Sequence, residues 1–88
     1  MPTVRLFANL RLLAGVTQLD VSGETVRAVL ENLFLDKSVL KTAIFDGDTL
    51  RPYVRVMVNG LDIEIGQGLN TPVNLEDQVT IFPPITGG

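Results

Sequence analysis

An α+β roll, a mixed sheet with one main helix packed on one face, is the fold class that this 88-residue sequence predicts. Three observations predict it. Short alternating apolar and polar runs stand at both ends of the chain, as half-buried strands do. Between them lies one long segment with the apolar spacing of a helix. A late Asn59-Gly60 pair sits between two further strand-like runs, which is the strongest short hairpin signal available.

The first element is Thr3 to Ala8, with Val4 and Leu6 on one face and Arg5 and Phe7 on the other. Ala14-Gly15-Val16-Thr17 reads as a turn, and Gln18-Leu19-Asp20-Val21 alternates again as an antiparallel partner. Leu10 to Leu13 reads as a short irregular connection. Val26, Val29, Leu30, Leu33 and Phe34 then form a helical stripe, which predicts an amphipathic helix over roughly 25–35. Ser22 or Thr25 can cap it by accepting from an orphan backbone N–H. A second short helix is expected through Val39, Leu40, Ala43 and Ile44, ending near Phe45. Asp46-Gly47-Asp48 turns the chain, since the remaining oxygen ligands of a calcium loop are missing.

From Val54 the period returns to two, with Val54, Val56 and Val58 inward and Arg55 and Met57 outward. Past Asn59-Gly60, Asp62 to Ile65 is expected to come back as the partner strand. Gly66-Gln67-Gly68 breaks it, and Leu69 to Glu76 crosses over without a clear period. Gln78 to Phe82 closes the sheet, with Val79 and Ile81 inward. First and last strands can pair in parallel because the helix supplies the crossover. Residues 1–82 form one domain, and residues 83–88 form a C-terminal tail.

Composition narrows the function classes. Hydrophobic residues make up 45% and charged residues 19%, as in an ordinary globular domain. The net charge is −3 and the seven basic residues are scattered, which argues against nucleic acid as a partner. The chain has no Cys and no His, so thiolate metal sites, a cysteine nucleophile and the commonest general base are absent together. No metal site is expected. No apolar run approaches the ~20 residues of a membrane span, so a cytoplasmic protein without membrane association is expected. Lys37 and Lys41 read as solvated surface residues.

The tail is the unusual stretch. Pro83 and Pro84 lack backbone donors and lead the chain away from the ladder. Six residues beyond Phe82 reach about 20 Å at full extension. Gly87 and Gly88 carry no Cβ, so a narrow channel can admit the terminal carboxylate. A tail alone gives little affinity, because ordering it costs entropy. A docking surface is therefore expected, and the outward sheet face offers Phe7, Met57 and Phe82, flanked by Arg5 and Arg55.

These pieces resemble the β-grasp, or ubiquitin-like, fold, and more closely its sulfur-carrier branch. That branch includes the small subunit of molybdopterin synthase, the thiamine sulfur carrier and the carriers of cysteine synthesis. The resemblance covers essentially the whole chain. It rests on Phe7-Ala8-Asn9-Leu10-Arg11, Thr25-Val26, the Val54-to-Gly60 run, and Val79-Thr80-Ile81-Phe82-Pro83-Pro84-Ile85-Thr86-Gly87-Gly88. Leu75-Glu76-Asp77-Gln78 departs from the family's usual Leu-x-Asp-Gly-Asp.

The resemblance implies that a ubiquitin-activating-type adenylyltransferase uses ATP to attach AMP to the Gly88 carboxylate. A persulfide sulfur from a sulfurtransferase then displaces AMP, leaving a thiocarboxylate. A sulfur-accepting enzyme, the molybdopterin synthase large subunit or a cysteine synthase, takes that sulfur. Pro83, Pro84, Ile85, Thr86 and Gly87 would be the residues recognised in the tail. The chain itself would bind no cofactor and would be a sulfur donor rather than an enzyme, or the small subunit of such a synthase. Two other readings stand beside this one. A covalent modifier would join Gly88 to lysines of other proteins, and a non-covalent binding module would carry an inert tail. The Phe-Pro-Pro-Ile-Thr-Gly-Gly end favours the molybdopterin pathway. The stretches from Asp36 to Pro52 and around Gly66-Gln67-Gly68-Leu69 look more like the cysteine-synthesis carriers and small modifiers.

Overall fold

The computed structural model describes residues 1–83. A five-stranded mixed sheet is crossed on one face by a single eleven-residue helix. The strands are β1 (Thr3–Leu6), β2 (Gln18–Asp20), β5 (Arg55–Val58), β6 (Leu61–Asp62) and β7 (Gln78–Phe82), in the order β2-β1-β7-β5-β6. A separate small hairpin joins β3 (Phe45–Asp46) to β4 (Thr49–Leu50). The helices are α1 (Asn9–Ala14), α2 (Val26–Asp36) and α3 (Val39–Ile44).

β1 and β7 pair in parallel with Leu6 beside Ile81, as the crossover argument requires, and every other pair in the large sheet is antiparallel. α2 supplies that crossover. Its expected stripe, Val26, Val29, Leu30, Leu33 and Phe34, is buried throughout. Beneath it lie Val4, Leu6, Val54, Val56, Val79 and Ile81, while Val58 is only partly covered. Thr25, rather than Ser22, is the cap, and its hydroxyl accepts from the Ala28 N–H at 3.1 Å. The crossing connection is pinned to the same helix end: Val26 N–H donates to Thr71 O and Val73 N–H to Glu24 O. The glycine at 23 is required by that approach, because a Cβ there would lie 2.6 Å from the Val29 nitrogen.

Asn59 and Gly60 both have positive φ, 51° and 86°, which the two-residue hairpin turn demands. Asn59 also reaches across to the start of β7. Its side-chain amide donates to Asp77 Oδ1 and its carbonyl oxygen accepts from the Gln78 N–H, both at 2.9 Å. Asp46-Gly47-Asp48 is the turn of the β3–β4 hairpin, as expected.

Two expectations are corrected. Leu10 to Leu13 belongs to a helix, α1, rather than an irregular connection. Leu10 and Ala14, one turn apart, are buried, and Gly15 at φ 77° ends the helix with its N–H on Arg11 O. The strand expected over Asp62 to Ile65 stops at Asp62. There the Asp62 carboxylate accepts from the Glu64 N–H at 2.9 Å, which draws the backbone off the ladder into a 3-10 turn. Ile63 thereby enters the core, and Ile65 is left 80% exposed.

Candidate functional site

The sheet face opposite α2 carries the residues singled out as a docking surface, and strand register sets their arrangement. Parallel pairing of β1 with β7 puts Arg5 beside Thr80, and antiparallel pairing of β7 with β5 puts Thr80 beside Met57. Met57 in turn lies opposite Asp62. In the next row Phe82 faces Arg55, with Phe7 just beyond the end of β1.

Within this face Phe7 and Phe82 stack, their ring centroids 4.7 Å apart and their planes at 21°. The Arg5 guanidinium sits 5.4 Å from the Phe7 centroid, within cation–π range. Arg55, itself exposed, reaches the largely covered Asp62 carboxylate at 3.2 Å in an ion pair. Phe7, Met57 and Phe82 are each half-buried, because their neighbours cover one side and, among the described residues, no helix covers the other. All five residues named from the sequence therefore share one face, in two adjacent rows.

The face continues into a broad open groove that sequence reasoning did not anticipate. Phe7, Phe82 and Pro83 line one part of it, and Arg51 and Tyr53 another. Of the tail residues, Pro83 is described and lines this groove; Pro84, Ile85, Thr86, Gly87 and Gly88 lie outside the described residues.

Two groove residues hold a backbone that non-glycine residues avoid. Ala8 has φ 51° and ψ −131°, turning the chain sharply after Phe7 so that Leu10 N–H bonds Phe7 O at 3.1 Å. Tyr53 has φ 71° and its side chain is 83% exposed. Such conformations cost of order 1–3 kcal/mol and concentrate at functional sites. An Arg51-Pro52-Tyr53 segment between a hairpin and a strand was the available signal.

Asp77 sits at the end of the sheet, just before the central strand β7 and outside this face. A hydrogen bond from the Asn74 N–H at 2.8 Å, then one from the Asn59 amide, holds its carboxyl below the usual range. Both stabilise the charged form. This is a structural carboxylate that anchors the start of β7.

The arrangement defines a ubiquitin-like β-grasp protein: a main helix over a mixed sheet, with the final strand leading to Pro83 beside an open apolar face. The ThiS family model matches residues 4–88, and the chain belongs to that family. The chain is 31% identical over 77 residues to the sulfur carrier protein CysO of Mycobacterium tuberculosis, covering 84% of this chain and 83% of that one. CysO of Amycolatopsis orientalis, solved in complex with BexX, superposes with a TM-score of 0.91 at 26% identity, covering all of both chains. Small archaeal modifier protein 1 of Methanosarcina acetivorans gives a TM-score of 0.88 at 38% identity, over 98% of this chain and 94% of that one.

Proposed function

We propose that this chain is a sulfur carrier whose reactive group is the Gly88 carboxylate. One observation carries the reading: the family match runs through Gly88, and β7 leads to Pro83 on a groove continuous with an open apolar face. A carboxylate is a poor acyl donor because oxide is a poor leaving group. Attack of the Gly88 carboxylate on the α-phosphate of ATP releases pyrophosphate and leaves an acyl adenylate. The terminal sulfur of a persulfide then displaces AMP. A thiol cleaves the resulting acyl disulfide, leaving a thiocarboxylate on Gly88 and a disulfide on the donor.

ATP and the catalytic groups belong to the adenylyltransferase and the sulfurtransferase. This chain is their substrate and the donor to a sulfur-accepting enzyme, and it binds no cofactor of its own. The steps take place in the cytoplasm, where ATP is supplied. Phe7, Met57 and Phe82, with Arg5 and Arg55, form the surface that these partners grip. Pro83 to Gly87 are the residues these partners recognise in the tail.

Similarity to sulfur carrier proteins supports the carrier reading, with cysteine or molybdopterin synthesis as the destination of the sulfur. Intact mass of the protein isolated from its own cells tests the assignment. A gain equal to one sulfur-for-oxygen exchange at the C-terminus is expected, and Gly88 blocked by an added residue should show none. The second reading, a protein modifier, is favoured by the 38% identity to an archaeal modifier protein. It predicts a ladder of heavier conjugates joined through Gly88 to lysines instead.

A further inference from the structure

The loop Arg51-Pro52-Tyr53 combines three features that packing does not explain. Arg51 ties it down twice: its N–H bonds Ile44 O at 2.9 Å and its guanidinium Nε bonds Thr42 O. The Val54 N–H closes a four-residue turn onto Arg51 O at 3.1 Å. Pro52 stands second in that turn and Tyr53, at φ 71°, third. A positive φ at the third position is the place for glycine in a turn of this kind. The backbone would be less strained without a side chain there. Nor does the fold gain core from the ring, which is 83% exposed. A braced turn thus displays a large aromatic to solvent at a conformational cost.

We infer that Tyr53 is an anchor residue for the adenylyltransferase that activates Gly88, entering an apolar pocket of that partner. This rests on the proposed function of the tail. Tyr53 and Pro83 line the same groove. The five residues after Pro83 span at most about 18 Å, so an enzyme holding the Gly88 carboxylate lies within that distance of Pro83 on the groove. Activation precedes both sulfur transfer and conjugation, which makes the adenylyltransferase the partner that either fate requires. The lining is mainly apolar, with Arg51 and Glu64 as opposite charges and Arg55 already paired with Asp62, so the complementary partner surface is apolar. Aromatic side chains on rigid supports are the usual anchors of interfaces, because little rotamer freedom is lost on docking.

The test is ATP–pyrophosphate exchange by the ubiquitin-activating-type adenylyltransferase of the same organism, with this full chain as varied substrate. Tyr53→Ala and Tyr53→Gly should each raise the KM for the chain roughly tenfold or more, with the rate recovered at saturation. Tyr53→Phe, which keeps the ring, should stay close to wild type. In thermal melts the glycine variant should be at least as stable as the alanine variant, since it relieves the positive φ. An unchanged KM for Tyr53→Ala overturns the inference. So does a raised KM accompanied by lower melting temperatures in both variants, because the ring would then be supporting the loop. If wild-type chain supports no exchange at all, the function proposed for Gly88 fails and the inference falls with it. An active wild type with indifferent variants removes the inference alone.

Discussion

Within β7, Val79 and Ile81 have no exposed surface beneath α2, while Thr80 and Phe82 face the other way and are half covered. The same backbone, with the same neighbours β1 and β5, thus serves two surfaces. On the covered face aliphatic side chains interlock with the α2 stripe, and each is held by the others. On the open face Phe82 has the Phe7 ring on one side and solvent on the other. Burying apolar area is worth roughly 25 cal/mol per Å², so a half-covered phenylalanine forgoes stability that a helix would have supplied. The difference teaches where the molecule keeps surface in reserve for something outside itself.

Substitutions on the two faces should separate these roles. The largest effect is expected for Ile81→Ala, a fully buried side chain whose loss should cost about 2–5 kcal/mol. Urea denaturation reads it, and an unchanged midpoint would mean the covered face is not the core. Leu30→Ala on the helix side should cost a similar amount. Next comes Thr25→Ala, which removes the cap on α2 and should cost about 1 kcal/mol by the same measurement. Met57→Glu on the open face should cost no more than about 1 kcal/mol, since the new carboxylate would stand opposite Asp62 but leave the core intact. The same variant should lose the adenylyltransferase in a binding assay. Unfolding of Met57→Glu would abolish the contrast between the faces.

The smallest effect concerns Asp77, whose carboxyl is held low by hydrogen bonds to its charged form. A group with a depressed folded-state pKa stabilises the fold above its unfolded value, about 3.9, and that stability is lost as pH falls through the folded value. Wild type should therefore lose stability below about pH 4 more steeply than Asp77→Asn. Parallel acid titrations would contradict this. Since Asn59 shares the interaction, Asn59→Ala should flatten the acid profile in the same way.

Much of the covered face was legible because its signals are local. The α2 stripe repeats over three turns, and Asn59-Gly60 states its turn in two residues. α1 was not, since six residues offer barely one repeat and its ending depends on Gly15 taking a left-handed conformation. The end of β6 was hidden by competition. Asp62-Ile63-Glu64-Ile65 alternates like a strand, yet the Asp62 carboxylate captures the Glu64 N–H and the 3-10 turn delivers Ile63 to the core. On the open face the five named residues could be assigned to one side from their period alone. The exposure and strained backbone of Tyr53 left only a faint mark, the Pro52 before it.

By itself the sequence determined the elements whose cause lies within a few residues: the period of the first, middle and last strands, the main helix, and the hairpin turn. Tertiary structure decided what meets across the chain. Phe7 stacks on Phe82 only because β1 lies parallel to β7 with Leu6 beside Ile81, and a shift of one residue would send Phe82 to the other face. Tyr53 and Pro83 share a groove only because β5 pairs with β7. Periodicity carries which side of a strand a residue faces. Register, fixed by packing among residues far apart in sequence, carries which residues become neighbours.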